Sequence, residues 1–340
     1  MNYHGIMNYP VEGIKSSALI DRVFDISTGV LTTRFAATFV VIAGISVVFL
    51  TRHSRNSDIA PVDDRVRLVR RGLVLLTAGY FLNQAWPGTI IFFYGAYFIC
   101  AAALIRLRSR SLATVMSLVI VGGVGVAVWR RIRFQDGRST SWMNPYELES
   151  LGDFLLRVFI GYSHPVLPWL AFFCLGMMLG RSWETIVKRP RRLVLSASLV
   201  VLFSYLVAII AEKAQWRGNA AVYALSSMQP NERGLLYVLS TAGIAVLAIL
   251  GINQVASKYR QSRVIQHLQR AGQMTLTLYF MHVLFYYAVV KWSSLYTSTG
   301  LSAALLLASL YWIGAIAVAS WWHHRLGQGP TERIYRWLSG

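Results

Sequence analysis

Nine stretches of this chain, near 32–51, 72–88, 89–105, 112–129, 165–181, 193–211, 234–252, 272–291 and 300–322, are apolar over about the length a helix needs to cross a bilayer. A bilayer core takes roughly 20 apolar residues per helical crossing, and only helices or closed barrels satisfy their backbone hydrogen bonds within it. Composition agrees, with 55% hydrophobic against 14% charged residues in a chain of 340. The expected fold is all-α: a polytopic integral membrane helical bundle of about nine transmembrane helices, forming a single domain over 1–340. Trp86-Pro87-Gly88 is a turn signal, so 72–105 can form one hairpin.

The cations fall unevenly among the turns. Of 33 Lys and Arg, 21 lie in 52–71, 106–111, 181–192, 253–271 and the tail after 322; 11 lie in 1–30, 130–164, 212–233 and 291–299, and Arg34 sits inside the first span. Positive residues favour the cytoplasm, which puts the first set inside and residues 1–31 outside. Arg130, Arg131, Arg133 and Arg138 run against that bias, as headgroup neighbours or as an anion site. A net charge of +19 suggests nucleic acid at first sight, but the arginines are scattered at helix ends where anionic lipid lies, so no nucleic-acid partner is expected.

Cys100 and Cys174 lie in apolar spans without metal-ligand spacing, as structural thiols do. No zinc signature, phosphate-binding loop, dinucleotide fingerprint or carboxylate pair in a soluble segment is present. No metal is expected, and any chemistry belongs within or at the edge of the bundle.

Between the spans, residues 1–31 read as an external segment that follows the exit of a helix whose apolar part is missing. The connection 130–164 is polar at first and then amphipathic over 146–162: Leu148, Leu151, Leu155, Val158 and Phe159 share one face, opposite Glu149, Asp153 and Arg157. That pattern predicts an interfacial helix. A second external element is expected at 212–233, and a short basic surface helix over 254–270. No internal repeat is visible, which disfavours transporters built from inverted repeats.

Ionisable side chains inside a bilayer are costly and usually have a task. His282 lies near the middle of a span; Asn83 and Gln84 end the second; Tyr94 and Tyr97 lie in the third; His164 precedes Pro165 at the mouth of the fifth; Arg34 opens the first, after Asp21 and Asp25. Histidine can take a proton from a hydroxyl or amine near neutral pH, or carry an acyl group. His282 could equally be a helix-to-helix hydrogen bond, His164 a cap of its helix, and Asp25 an ion pair with Arg34. The aromatic cluster around Tyr279, Phe280, Phe285, Tyr286 and Tyr287 reads as packing and interfacial belt.

Several segments resemble one family in order along the chain. Thr33-Arg34-Phe35 through Gly44-Ile45-Ser46 resembles the "F-x-F-x-x-G-x-S" helix of the heparan-α-glucosaminide N-acetyltransferase-like proteins, and Tyr94-Gly95-Ala96-Tyr97 their "Y-G-V" helix. His164-Pro165-Val166-Leu167-Pro168-Trp169 through Leu175-Gly176 to Gly180-Arg181 is similar to their "P-L-L-P-W…L-G-x-x-x-G-R" segment. Gly272-Gln273-Met274-Thr275-Leu276-Thr277-Leu278-Tyr279 through His282 resembles the "G-x-x-S-L-T-x-Y-x-x-H" helix of the YeiB-like branch, and Gly329-Pro330-Thr331-Glu332 through Arg336 and Leu338 the "G-P-x-E-x-x-x-R-x-L" ending of that branch.

The resemblance implies a multi-pass cell-membrane acyltransferase, in a bacterial inner membrane. It would move an acyl group, usually acetyl from acetyl-CoA, to a glycan, glycolipid or other envelope acceptor; membrane lipids are the other partners, and a homodimer is admitted. Catalysis in this family is associated with an Asn in an "N-Y" element and a nearby His. Asn2-Tyr3 matches the first; His4 is the only histidine near it, since 11–14 read Val-Glu-Gly-Ile. The opening "L-D-x-x-R-G" helix has no counterpart, so a first helix is expected to be missing here and a tenth crossing to restore it. The candidate catalytic residues are His282, His164, His4 and Asn2, and the candidate substrate-binding residues Arg34, Asp25, Tyr94, Asn83 and Trp169. Two rivals stay open: a transporter or flippase of a small or lipid-linked anionic substrate, and a non-catalytic membrane scaffold.

Overall fold

The computed structural model describes residues 3, 23–24, 33–52, 61–86, 89–144, 148–214, 218–293, 295 and 301–340, and among them it is helical throughout, without strands. In chain order the helices are α1 (Arg34–Leu50), α2 (Pro61–Ala85), α3 (Ile91–Leu104), α4 (Ser109–Gln135), α5 (Leu151–Phe159), α6 (Val166–Arg181), α7 (Trp183–Lys188), α8 (Arg191–Lys213), α9 (Ala220–Ser226), α10 (Leu235–Lys258), α11 (Arg263–Gly272), α12 (Thr275–Tyr286), α13 (Leu301–Leu326) and α14 (Pro330–Ser339). A π-type turn, Tyr287–Trp292, continues α12.

Among the described residues, each of the nine apolar stretches is mostly helical. By length and composition, α4, α8, α10 and α13 can each cross a membrane, and α11 with α12 adds a fifth if that pair, bent by 83°, is one span. The expected count of nine crossings is not confirmed among the described residues. Helices α1, α3 and α6 are apolar but have only 17, 14 and 16 residues, and the first half of α2 is charged.

Some boundaries differ from the sequence reading. Helix α2 starts eleven residues before its apolar part, and α4 runs on through Arg130, Arg131 and Arg133 instead of yielding to a loop. Arginine is a good helix former, and cations suit the negative end of the helix dipole. The amphipathic helix narrows to α5, where Ser150 and Asp153 form a reciprocal capping box. Its apolar side, Leu151, Leu155 and Phe159, is exposed while Arg157 and Val158 are buried, as for a helix lying against lipid. The basic surface helix is α11, which begins only at Arg263 because α10 extends to Lys258.

Helix α8 turns small residues inward and large ones outward. In α8 the buried residues are Ala197, Ser204, Ala208 and Ala211, whereas Leu195, Leu199, Leu202, Phe203 and Leu206 are exposed. In water such a face would aggregate. In a bilayer, lipid tails solvate the large side chains and small residues let backbones approach.

The chain divides into two compact units, residues 33–252 and residues 1–32 with 253–340. In the first, α1 packs on α6, α6 on α4, and α2 on α3. The α1–α6 contact is backbone to backbone: a Cβ on Gly176 would lie 2.0 Å from the Val41 carbonyl oxygen, and one on Gly44 2.2 Å from that of Phe173. Arg181, at the end of α6, donates to the carbonyl oxygens of Leu107 at 2.7 Å and Ile105 at 3.0 Å, closing the chain just past α3. In the second unit, α11 packs on α13 and α12 on α13 and α14.

Gly176→Val is therefore expected to destabilise the protein in detergent by about 2 kcal/mol or more, through overpacking at a helix crossing. Gly125→Ala, at a position with open space around it, should leave the melting temperature unchanged. Thermal melts of both variants by fluorescence-detected gel filtration test this, and equal melting temperatures would contradict the tight α1–α6 crossing.

Candidate functional site

Each unit encloses a histidine in an aromatic shell. In residues 33–252 the shell forms where the chain leaves α5 and turns into α6. Tyr162 sits there in the left-handed region, with φ of 61°. The Asn144 side-chain oxygen accepts from the Tyr162 N–H at 2.7 Å, and the Arg157 guanidinium stacks 4.4 Å from the Tyr162 ring centre. Arg233, buried just ahead of α10, donates to the carbonyl oxygen of Ile160 at 2.9 Å and to that of Tyr162. Arg233 thus takes up two carbonyls of the loop, and Arg157 covers its tyrosine ring.

His164 follows and is buried. Its carbonyl accepts from the Tyr97 hydroxyl at 2.6 Å, and its Nδ1 shares a hydrogen bond with Ser163 Oγ at 2.8 Å. The ring meets Trp169 edge-on, centroids 4.4 Å apart, and Phe93 at 5.9 Å. The buried Trp169 indole N–H finds no acceptor among the described residues. Tyr94 joins this shell through Tyr97, 6.1 Å from ring to ring. Of the candidates from sequence, His164, Trp169 and Tyr94 are brought together here.

Electrostatics keep His164 neutral. Burial first, and the neighbouring Arg233 charge second, push the imidazole down to about 3. Burial and then Arg130 push Arg233 itself down to about 9, which leaves its guanidinium charged at neutral pH. A neutral imidazole held so low accepts protons poorly and is better fitted to donate or receive a hydrogen bond.

Arg34 is also buried in the same unit, beside Tyr237, which lies within electrostatic reach of Arg233 as well. It donates to the Tyr205 hydroxyl at 3.3 Å and lies 6.0 Å from the Tyr237 ring centre, and the Tyr237 hydroxyl is hydrogen-bonded to Thr33 Oγ1. Asn83 is half-buried near the end of α2, and no hydrogen bond or ring contact among the described residues ties it to these groups. Asn2, His4 and Asp25 lie outside the described residues.

In the second unit His282 is ringed by Tyr279 at 4.8 Å, Tyr3 at 5.9 Å and Tyr311 at 6.3 Å between centroids. Its Nδ1 bonds the carbonyl oxygen of Tyr279 on the same helix. A carbonyl only accepts, so Nδ1 carries the proton and Nε2 the basic lone pair. The Tyr3 hydroxyl donates to the His282 carbonyl at 2.9 Å, and Tyr311 to that of Leu278 at 2.5 Å. Sequence reasoning missed Arg233, Ser163, Tyr162 and Tyr311. Tyr3 was visible only as the second residue of the Asn2-Tyr3 element.

The depressed imidazole of His164 carries a signed prediction. The unfolded chain takes up this proton near 6.5 and the folded chain only near 3, so stability is complete above pH 6.5 and is lost as pH falls toward 3. The loss is on the order of a few kcal/mol across that window. Melting temperature in detergent should drop between pH 6.5 and 4 in the wild type and drop less in His164→Gln. Parallel curves would mean that the folded protein holds this imidazole at an ordinary value.

Comparison with known proteins places these features in a family. The model of the heparan-alpha-glucosaminide N-acetyltransferase catalytic family matches residues 17–213, which include Arg34, Asn83, Tyr94, His164 and Trp169. A family described as protein of unknown function, DUF418, matches residues 178–340, which include His282. No curated protein and no solved structure matches significantly. With more than half of its length covered by the first model, the chain belongs to the heparan-alpha-glucosaminide N-acetyltransferase catalytic family, a family of membrane enzymes of the acetyltransferase type.

Proposed function

We propose that this protein transfers an acyl group, acetyl in the first instance, from acyl-CoA to a hydroxyl or amine of a sugar or other envelope acceptor, at the bacterial inner membrane. The observation that carries the assignment of the base is the Nδ1–H bond of His282 to the Tyr279 carbonyl, which presents Nε2 as the proton acceptor. The family match supplies the reaction class.

The acceptor O–H or N–H gives its proton to Nε2 of His282 as its heteroatom attacks the thioester carbonyl carbon. The C–S bond breaks, the new acyl C–O or C–N bond remains, and the leaving CoA thiolate takes the proton back from the imidazolium. The apolar bundle keeps water from competing for the thioester. His164 and the Trp169 N–H are the candidate polar groups of residues 33–252, a neutral imidazole and an indole donor side by side. The basic turns hold the CoA phosphates through charge-assisted bonds. Arg34, Asp25, Tyr94 and Asn83 are assigned to substrate binding, and Asn2 and His4 to catalysis, as the family resemblance implies.

The test is transfer of label from acetyl-CoA, labelled in the acetyl group, to an extracted envelope fraction by the purified protein. His282→Asn should lower the rate on the order of 100-fold or more, the usual worth of a general base. His164→Asn is read beside it, with kcat and KM separated. Asn2→Ala and His4→Ala are scored in the same assay. No binding or turnover of any acyl-CoA would sink the reading, and donor-free uptake of an anionic solute into proteoliposomes would replace it with transport.

A further inference from the structure

Helix α12, which carries His282, begins at the 83° bend after α11 with Met274 at its N-cap position. A helix start leaves backbone N–H groups without partners, and a thioether is too weak an acceptor to cap them. The missing acceptor comes from 55 residues further along the chain. Glu332 of α14 takes the Leu276 and Thr277 N–H groups on Oε1, at 2.7 and 3.0 Å. The Thr277 hydroxyl donates to Glu332 Oε2 at 2.5 Å and accepts from the Thr331 N–H at 3.1 Å. Every oxygen of this joint is in use, and the carboxylate stands where a helix dipole favours negative charge.

The neighbouring residues are chosen for the joint. A Cβ on Gly329 would lie 2.2 Å from Glu332 Oε2 and 2.5 Å from Thr277 Oγ1, so no residue but glycine fits without displacing the clamp. Pro330 opens α14, where a missing N–H costs nothing. The Gly272–Tyr279 and Gly329–Glu332 motifs of the sequence are thus the two halves of one joint.

His282 lies five residues after Thr277, about 7.5 Å along the helix axis. The segment between them is pinned three times: at the N–H groups of Leu276 and Thr277 by Glu332, at the Leu278 carbonyl by Tyr311, and at the His282 carbonyl by Tyr3. A change at the first pin rotates or shifts everything that follows on a stiff helix.

We propose that Glu332 is a positioning residue, whose clamp on Thr277 sets the depth and rotation at which α12 presents the His282 imidazole among Tyr3, Tyr279 and Tyr311. Its catalytic consequence rests on His282 being the base assigned above; the clamp itself does not.

The experiment uses the full chain in detergent with 15N-labelled histidine, the His282 signal being identified by its disappearance in His282→Asn. Glu332→Ala and Thr277→Val should each move that signal, and the double variant should move it no further than Glu332→Ala alone. Glu332→Gln, whose amide oxygen still accepts from two backbone N–H groups, should move it less, and Thr277→Ser should leave it in place. In the transfer assay Glu332→Ala should lower kcat about 10- to 100-fold with KM for acyl-CoA within about twofold. An unmoved His282 signal in folded Glu332→Ala protein overturns the proposal. Where Glu332→Ala does not fold, equal signals from the Thr277→Val and Thr277→Ser proteins overturn it as well. An inactive wild type overturns only the acyltransferase reading, because the histidine signal reports the clamp without turnover.

Discussion

The unit of residues 33–252 depends on the place where α1 and α6 touch. Gly44 and Gly176 bring the two backbones together with no side chain between them. Helix α6 then has neighbours on nearly all sides and buries Trp169, Leu170, Phe172, Phe173, Cys174 and Met177. With α6 centred, the loop ahead of it is carried inward, and His164 becomes a buried residue. Around it stand Tyr97, Phe93 and Trp169, the last of them on α6 itself.

The bilayer is the second constraint. Hydrophobic burial does not drive helix association in lipid, so packing, backbone approach and polar satisfaction carry the tertiary structure. The exposed pair Arg52–Glu184, at 2.6 Å, adds little to it. Two arginines do more, because their partners are backbone carbonyls: half-buried Arg181 closes the chain beyond α3, and buried Arg233 holds the loop ahead of His164. These guanidiniums serve as cross-links for backbone that leaves helical geometry and has lost its helical partners.

The class of fold was legible because a run of apolar residues at membrane length has few other readings. The helix ends were less so, since α2 and α4 continue through arginines that sequence periodicity assigns to turns. Among site residues, His164 and Trp169 stood out by rarity and by the proline-framed motif around them, and the fold brings them ring to ring. Arg233 and Tyr311 could not have been found this way. Each acts on a backbone carbonyl far off in sequence, and a carbonyl leaves no mark in a string of side chains. Helix α5 was half visible: the pattern gave the two faces, but the protein buries Val158 from one and Arg157 from the other while leaving Leu151 outside.

The Glu332 joint also imposes an order on how the protein is made. Thr277 leaves the ribosome 55 residues ahead of its carboxylate partner, and the whole of α13 is synthesised in the interval. The first turn of α12 therefore meets the membrane with its N–H groups unsatisfied by any residue made so far. It acquires its cap only after α13 has been placed and α14 has folded back. In this half of the molecule the histidine-bearing helix matures late, and the completion of a turn in the middle of the chain waits on residues translated well after it.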